Sequence, residues 1–190
     1  ESPDKESLAK SLPIKDESNP DGDSSPEPAE PEIRAGKISR EPFTLPVAAV
    51  DHLHTRANLK IQDGCDFYCL FCTIPYARGR ARARVFDDLM QEACILTKAG
   101  HRELILTGVN IGTYQHEERG IKEVVAALME LPDLERLRIS SIEPTTIPDE
   151  IVQWMAEGTK LCRHLHVPIQ SGSDQVLFKM NRRYKAAEYR

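Results

Sequence analysis

The sequence predicts an α/β fold, a partial (β/α) barrel of about four βα units behind a disordered N-terminal segment. Three observations predict it. Short apolar runs alternate with stretches whose apolar residues recur at helical spacing. Strand starts lie about 30 to 45 residues apart, the distance that a strand, a crossover helix and loops require. Each apolar run ends in glycine, small polar or thiol residues, the residue types that gather on the rim of a parallel sheet when the rim carries a site.

Residues 1–41 are read as a disordered acidic Ser/Pro-rich linker, because Ser, Pro, Asp, Glu and Lys leave too little apolar surface to offset the entropy of ordering. Residues 1–50 hold six Lys or Arg against eleven Asp or Glu, so the other 140 are balanced at 19 against 19. The acidity belongs to the tail. Residues 42–56 form an irregular lead-in, with Phe43 and Leu45 placed to pack on a domain edge. Residues 57–190 form the partial core domain.

In that core, Leu59–Gln62 is the first strand and leads into a cysteine loop. Phe86, Leu89, Met90, Ala93 and Leu96 mark the first long helix, with Asp87 and Asp88 at its positive end and Gly100 after it. Leu104–Leu106 is the second strand and ends at Thr107 and Gly108; Ile121, Val124, Val125 and Leu128 mark the next helix. Leu137–Ile139 is the third strand, ending at Ser140 and Ser141. Pro148 opens a helix with Ile151, Trp154 and Met155 on one face. Leu165–Ile169 is expected to be a fourth strand and Ser173–Met180 a fourth helix. Four units do not close a barrel, and the run stops at Tyr189 and Arg190 without a stop signal, so a fragment of a longer chain is expected.

No stretch approaches the roughly 20 apolar residues of a membrane span, and the start of the sequence lacks a signal core. A cytoplasmic protein without membrane contact is expected. Five cysteines, three of them clustered, do not form the even framework of a disulfide-stapled domain. Cys94 and Cys162 read as small buried hydrophobes.

Cys65, Cys69 and Cys72 stand in a C-x-x-x-C-x-x-C run directly after the first strand. Three closely spaced thiolates can hold three irons of a cubane cluster and leave the fourth open to a small molecule. The rival is structural zinc in a non-catalytic adaptor, with His52 or His54 as fourth ligand. Arg78, Arg80, Arg82 and Arg84 alternate with small residues just beyond; RNA or phosphate contact is expected of them, against a plain solvated edge.

The cysteine run, with Phe71 as its aromatic, resembles the signature of radical S-adenosylmethionine (SAM) enzymes. The strings Leu59–Cys65, Ile74–Arg80, Leu106–Gly112, His164–Asp174 and Met180–Tyr184 resemble the methylthiotransferase family, over about residues 54–190. Phe67 stands where that family often has Asn, and Gln115 where a Gly is usual. Ser140–Pro144 and Thr107–Asn110 look most like the members that modify N6-threonylcarbamoyladenosine next to the tRNA anticodon. Relatives act on isopentenyladenosine in tRNA or on an aspartate of a ribosomal protein.

The resemblance implies a barrel of the radical SAM type, a [4Fe-4S] cluster on Cys65, Cys69 and Cys72, and SAM bound at the open iron. It implies Phe71 beside the adenine, close backbone approach at Gly108, and hydrogen bonds from Asn110, Ser141 and Gln170. Without it, Phe71 would read as core and Gly108 as an ordinary turn. No catalytic residue is expected beyond the cluster site. A tRNA substrate, a reducing electron donor protein and a monomeric state are implied. A second [4Fe-4S] cluster is expected only in a preceding domain not evident here, so full methylthiolation by these residues alone is not expected.

Overall fold

A computed structural model describes residues 38–47 and 54–189. Nearly all of the acidic segment 1–41, and His52 with it, lies outside the described residues. The elements are β1 (Arg56–Lys60), β2 (Gln62–Asp63), α1 (Ile74–Arg78), β3 (Arg82–Ala83) and α2 (Phe86–Lys98). After them come β4 (Glu103–Thr107), β5 (Gln115–His116), β6 (Arg119–Gly120), α3 (Ile121–Met129), β7 (Arg136–Ile139), α4 (Asp149–Glu157) and α5 (Asp174–Lys179).

The main sheet is parallel, in the order β1-β4-β7, with Lys60 beside Thr107 and Leu106 beside Ile139. This register aligns the strand ends. Leu59, Leu104, Leu106, Leu137 and Ile139 are fully buried in it. The helices cover it because their apolar residues fall on one stripe: Leu89, Ala93 and Leu96 on α2, Ile121, Val124, Val125 and Leu128 on α3, Ile151 on α4. Glu123 turns back to accept the amide of Gly120 at 2.8 Å, fixing the start of α3.

The expected fourth strand is corrected. Leu165–Ile169 is not a strand; Leu161 and His166 each make a single parallel bridge, to Leu137 and Ser141. The physical reason is local. The chain between them turns away at Cys162–His164, where the amide of His164 bonds the carbonyl of Cys162, and Pro168 brings no amide to continue a ladder. The segment still follows the direction of β7, so the partial barrel keeps its fourth position as a loosely paired edge.

Of the lead-in, residues 42–47 and 54–56 are among the described residues. Phe43 bridges Arg84, and its amide and carbonyl bond the carbonyl of Ala83 and the amide of Val85.

Candidate functional site

The amide of Ile61 bonds Thr107, that of Ser140 bonds Leu106, and that of Ile142 bonds His166. The cysteine loop, Gly108–Asn110, Ser140–Glu143 and the segment after His166 therefore follow strand ends on one side of the sheet. Parallel pairing puts them there.

Gln62 joins the first two of these loops. It is fully buried; its Nε2 donates to the carbonyls of Asp63 and Gly64 at 3.0 and 2.7 Å, and its Oε1 accepts from the amides of Val109 and Asn110 at 2.9 and 3.0 Å. Gly64 follows with a φ of +71°, and a Cβ there would lie 2.0 Å from the Arg80 carbonyl oxygen. Only glycine fits. Asp63 gathers Lys60, Arg78 and Arg82 at 3.0, 3.2 and 3.4 Å; although burial opposes its ionisation, Lys60, Arg78 and the Gly64 amide hold its carboxyl below the usual range.

On the loop, Cys69 is buried and Cys65 and Cys72 are half-buried, with the Cys72 amide bonded to the Cys69 carbonyl at 2.9 Å. Burial pushes the Cys65 thiol up, and the charges of Cys69, Cys72 and Glu143 push it the same way. Metal binding takes the deprotonated form of a thiol. Among the described residues, no three His, Cys, Asp or Glu side chains converge on a single ion. Three thiols on one loop match the number of protein ligands taken by a cubane with one open iron.

The segment after α5 holds this loop from the other side. The Leu70 amide bonds the Met180 carbonyl at 3.2 Å, and Asn181 donates to the carbonyl of Tyr68 at 3.0 Å. Arg183 donates to the Asp66 carbonyl at 2.9 Å and lies over the Phe67 ring. Arg182 donates to Cys69 Sγ at 3.2 Å and to Glu143 at 2.5 Å. Sequence reasoning noticed Met180–Tyr184 as a string but assigned it no contact. Its partners on the cysteine loop lie more than 100 residues earlier, beyond any local signal.

The other expected site residues fall as follows. Phe71 is 52% exposed and therefore is not core. Gly108 makes its close approach to the chain itself: a Cβ would lie 2.8 Å from Ile111 and 2.9 Å from Gln62 Oε1. Asn110 is buried, and its Oδ1 accepts from the Thr146 hydroxyl at 3.2 Å and the Glu143 amide at 3.4 Å. Its Nδ2 is buried with no protein partner, a donor left unsatisfied by the fold. Ser141 shares a 2.9 Å hydrogen bond with His166 Nδ1. Gln170 is exposed, with a φ of 63°.

Among the arginines, Arg78 and Arg80 keep about half of their side-chain surface exposed beside Asp63 and Asp66, and Arg82 keeps 22%. Arg84 is a correction. Its side chain is fully buried, paired with Asp88 at 2.5 Å and with Glu92, so it cannot reach a phosphate. The physical reason is the charge it answers: Glu92 lies on the buried face of α2 and needs a partner. Beside the loop, Lys60, Gln62, Asp63, Ile74, Arg78, Thr107, Gly108 and Val109 line a cleft of about 390 Å³. A second hollow, of about 410 Å³, is lined by Met155, Ala156, Arg163, His164 and Leu165 and has no carboxylate in its lining.

A parallel βα sheet with a three-thiol loop after its first strand defines a class, and the chain belongs to the radical SAM superfamily, whose sequence profile matches residues 59–190. Membership carries with it that superfamily's cofactors, a [4Fe-4S] cluster and SAM.

Within the class, the chain is 41% identical over 133 residues to the threonylcarbamoyladenosine tRNA methylthiotransferase MtaB of Bacillus subtilis, covering 68% of this chain and 30% of that protein. It is 39% identical over 133 residues to a tRNA-2-methylthio-N(6)-dimethylallyladenosine synthase of Cereibacter sphaeroides, covering 70% and 30%. The chain thus spans about a third of the length of these curated relatives. Among solved structures, the radical SAM methyltransferase TsrM of Kitasatospora setae superposes with a TM-score of 0.55 at 18% identity, over 69% of this chain and 26% of that one. That likeness concerns the fold alone.

Proposed function

We propose that the chain is the core of an enzyme that methylthiolates an adenosine derivative next to the tRNA anticodon. The observation that carries this is the cysteine loop on the strand-end rim, together with identity to two kinds of tRNA methylthiotransferase. The wording of Ser140–Pro144 and Thr107–Asn110 favours N6-threonylcarbamoyladenosine over isopentenyladenosine.

Cys65, Cys69 and Cys72 would hold the cluster. When bound, cluster and SAM together supply a one-electron cleavage that generates a carbon radical. This chain's residues bind and orient. Asn110 Nδ2 and the Ser141 hydroxyl offer hydrogen bonds to SAM, Phe71 offers an exposed ring for the adenine, and Gln62 keeps the Gly108 loop in register with the cysteines. Gln170 is on the remaining loop of the rim. Arg78 and Arg80, with Arg82 behind them, face solvent beside the loop and serve RNA phosphates. A reducing protein supplies electrons, the chain acts as a monomer, and the reaction is cytoplasmic. Among the described residues no helix is long and apolar enough to cross a membrane.

The test uses the full-length protein, reconstituted anaerobically with iron and sulfide, a reductant, SAM and tRNA. Nucleoside mass spectrometry should show a methylthio group on N6-threonylcarbamoyladenosine. Modification of isopentenyladenosine instead would transfer the reading to the other tRNA class, and no methylthio product on tRNA would overturn it. Cys69→Ala should lose cluster and product together, since two thiolates cannot hold three irons.

A further inference from the structure

The Arg182 side chain is 3% exposed. Nη1 donates to Cys69 Sγ at 3.2 Å and Nη2 to Glu143 Oε2 at 2.5 Å; Nε and Nη2 reach the Tyr184 hydroxyl at 3.3 and 3.2 Å. That hydroxyl in turn lies 3.1 and 2.8 Å from the carbonyl oxygens of Pro168 and Ile169. The cation is therefore anchored to the cysteine loop, to the loop after β7 and, through Tyr184, to the loop after His166. A buried guanidinium held by one carboxylate is a fixed charge, not a mobile surface one.

A charged donor on a ligand sulfur interacts more strongly with the more electron-rich state of an iron–sulfur cluster. Hydrogen bonds to sulfur and nearby charge are among the factors that set cluster potential. We propose that Arg182 is a positioning residue that raises the reduction potential of the cluster through its hydrogen bond to Cys69, and that Glu143 opposes it by placing a negative charge on the same guanidinium. The inference rests on the reading of Cys65, Cys69 and Cys72 as cluster ligands. Reduction adds one electron to the cluster from an external low-potential reductant, dithionite in the test. No covalent bond of Arg182 or Glu143 changes.

The experiment is an EPR-monitored redox titration with dithionite of the anaerobically reconstituted chain, with iron measured on each sample. Arg182→Gln should keep its iron and show a reduced-to-oxidised ratio about tenfold smaller at fixed poise, about 59 mV for a one-electron couple. Glu143→Gln, which can still accept from Arg182, should shift in the opposite direction. A purely structural strut would not produce opposite signs. Full iron with an unchanged potential in Arg182→Gln, or shifts of the same sign in both variants, overturns the proposal. If Arg182→Gln takes up no cluster, Arg182→Lys decides, because its single ammonium cannot serve Cys69 and Glu143 with the same fork. A potential below that of the parent then supports the proposal; a parental potential, or no cluster, overturns it. A parent chain that takes up no iron defeats the cluster reading itself, a result distinct from any of these.

Discussion

Gln62 shows how much one buried amide can organise. Its four hydrogen bonds connect the entry of the cysteine loop to the loop after β4, and its burial leaves no water to replace them. Gln62→Leu strands the amides of Val109 and Asn110 and the carbonyl of Gly64. Each buried group left unpaired costs about 1–3 kcal/mol, so a loss of about 3 kcal/mol or more is expected in urea denaturation. A loss under about 1 kcal/mol would mean that the loops hold their register without it. Arg84 makes the complementary point. Alternation placed it with Arg78, Arg80 and Arg82, but Glu92 and Asp88 draw it inward, and neither acidic residue is adjacent to it in sequence.

At the scale of elements, long helices were legible and short pieces were not. The stripe on α2 and the one on α3 repeat over two turns or more, enough for periodicity to show. The antiparallel pairs β2–β3 and β5–β6 are two residues a strand, below any period, and escaped notice. The fourth strand was expected from an apolar run whose pairing partner it mostly fails to reach. Gly64 belongs to this scale because its positive φ reverses the chain between β2 and the cysteines. Gly64→Ala should therefore lose most of the iron retained after anaerobic reconstitution, while far-ultraviolet circular dichroism stays near parental; parental iron content would refute the role given to that turn.

The β4–β7 pair carries its own pH dependence. Glu103 is buried at the start of β4, which opposes its ionisation, yet Arg138 at 2.8 Å and Arg136 at 3.0 Å hold its carboxyl below the ordinary glutamate range. Its folded value is lower than its unfolded one, so the stability it contributes is fully present above the ordinary range. That stability is lost as pH falls through the lowered value. Glu103→Gln should be less stable than the parent at neutral pH, with the gap closing in acid. Parallel stability curves across that range would exclude the linkage.

Across the whole molecule, the site is closed by contacts between its ends in sequence. Asn181, Arg182, Arg183 and Tyr184 reach back to the cysteine loop and the neighbouring rim. Ending the chain after Met180 should accelerate amide hydrogen exchange across residues 65–72, while Leu104 and Leu106 in the sheet centre keep their protection. Unchanged exchange in the loop would show that the clamp is dispensable.

By itself the sequence determined the βα order, the helices, the thiol spacing and the class, because those properties are carried by neighbours in the chain or by short strings read whole. Tertiary structure alone decided that Arg84 is buried, that Gln62 joins two loops, that the fourth segment makes only isolated bridges, and that Arg182 meets Cys69. Each depends on which surfaces meet after the sheet forms, and burial and charge pairing act through space between residues that chain order keeps far apart.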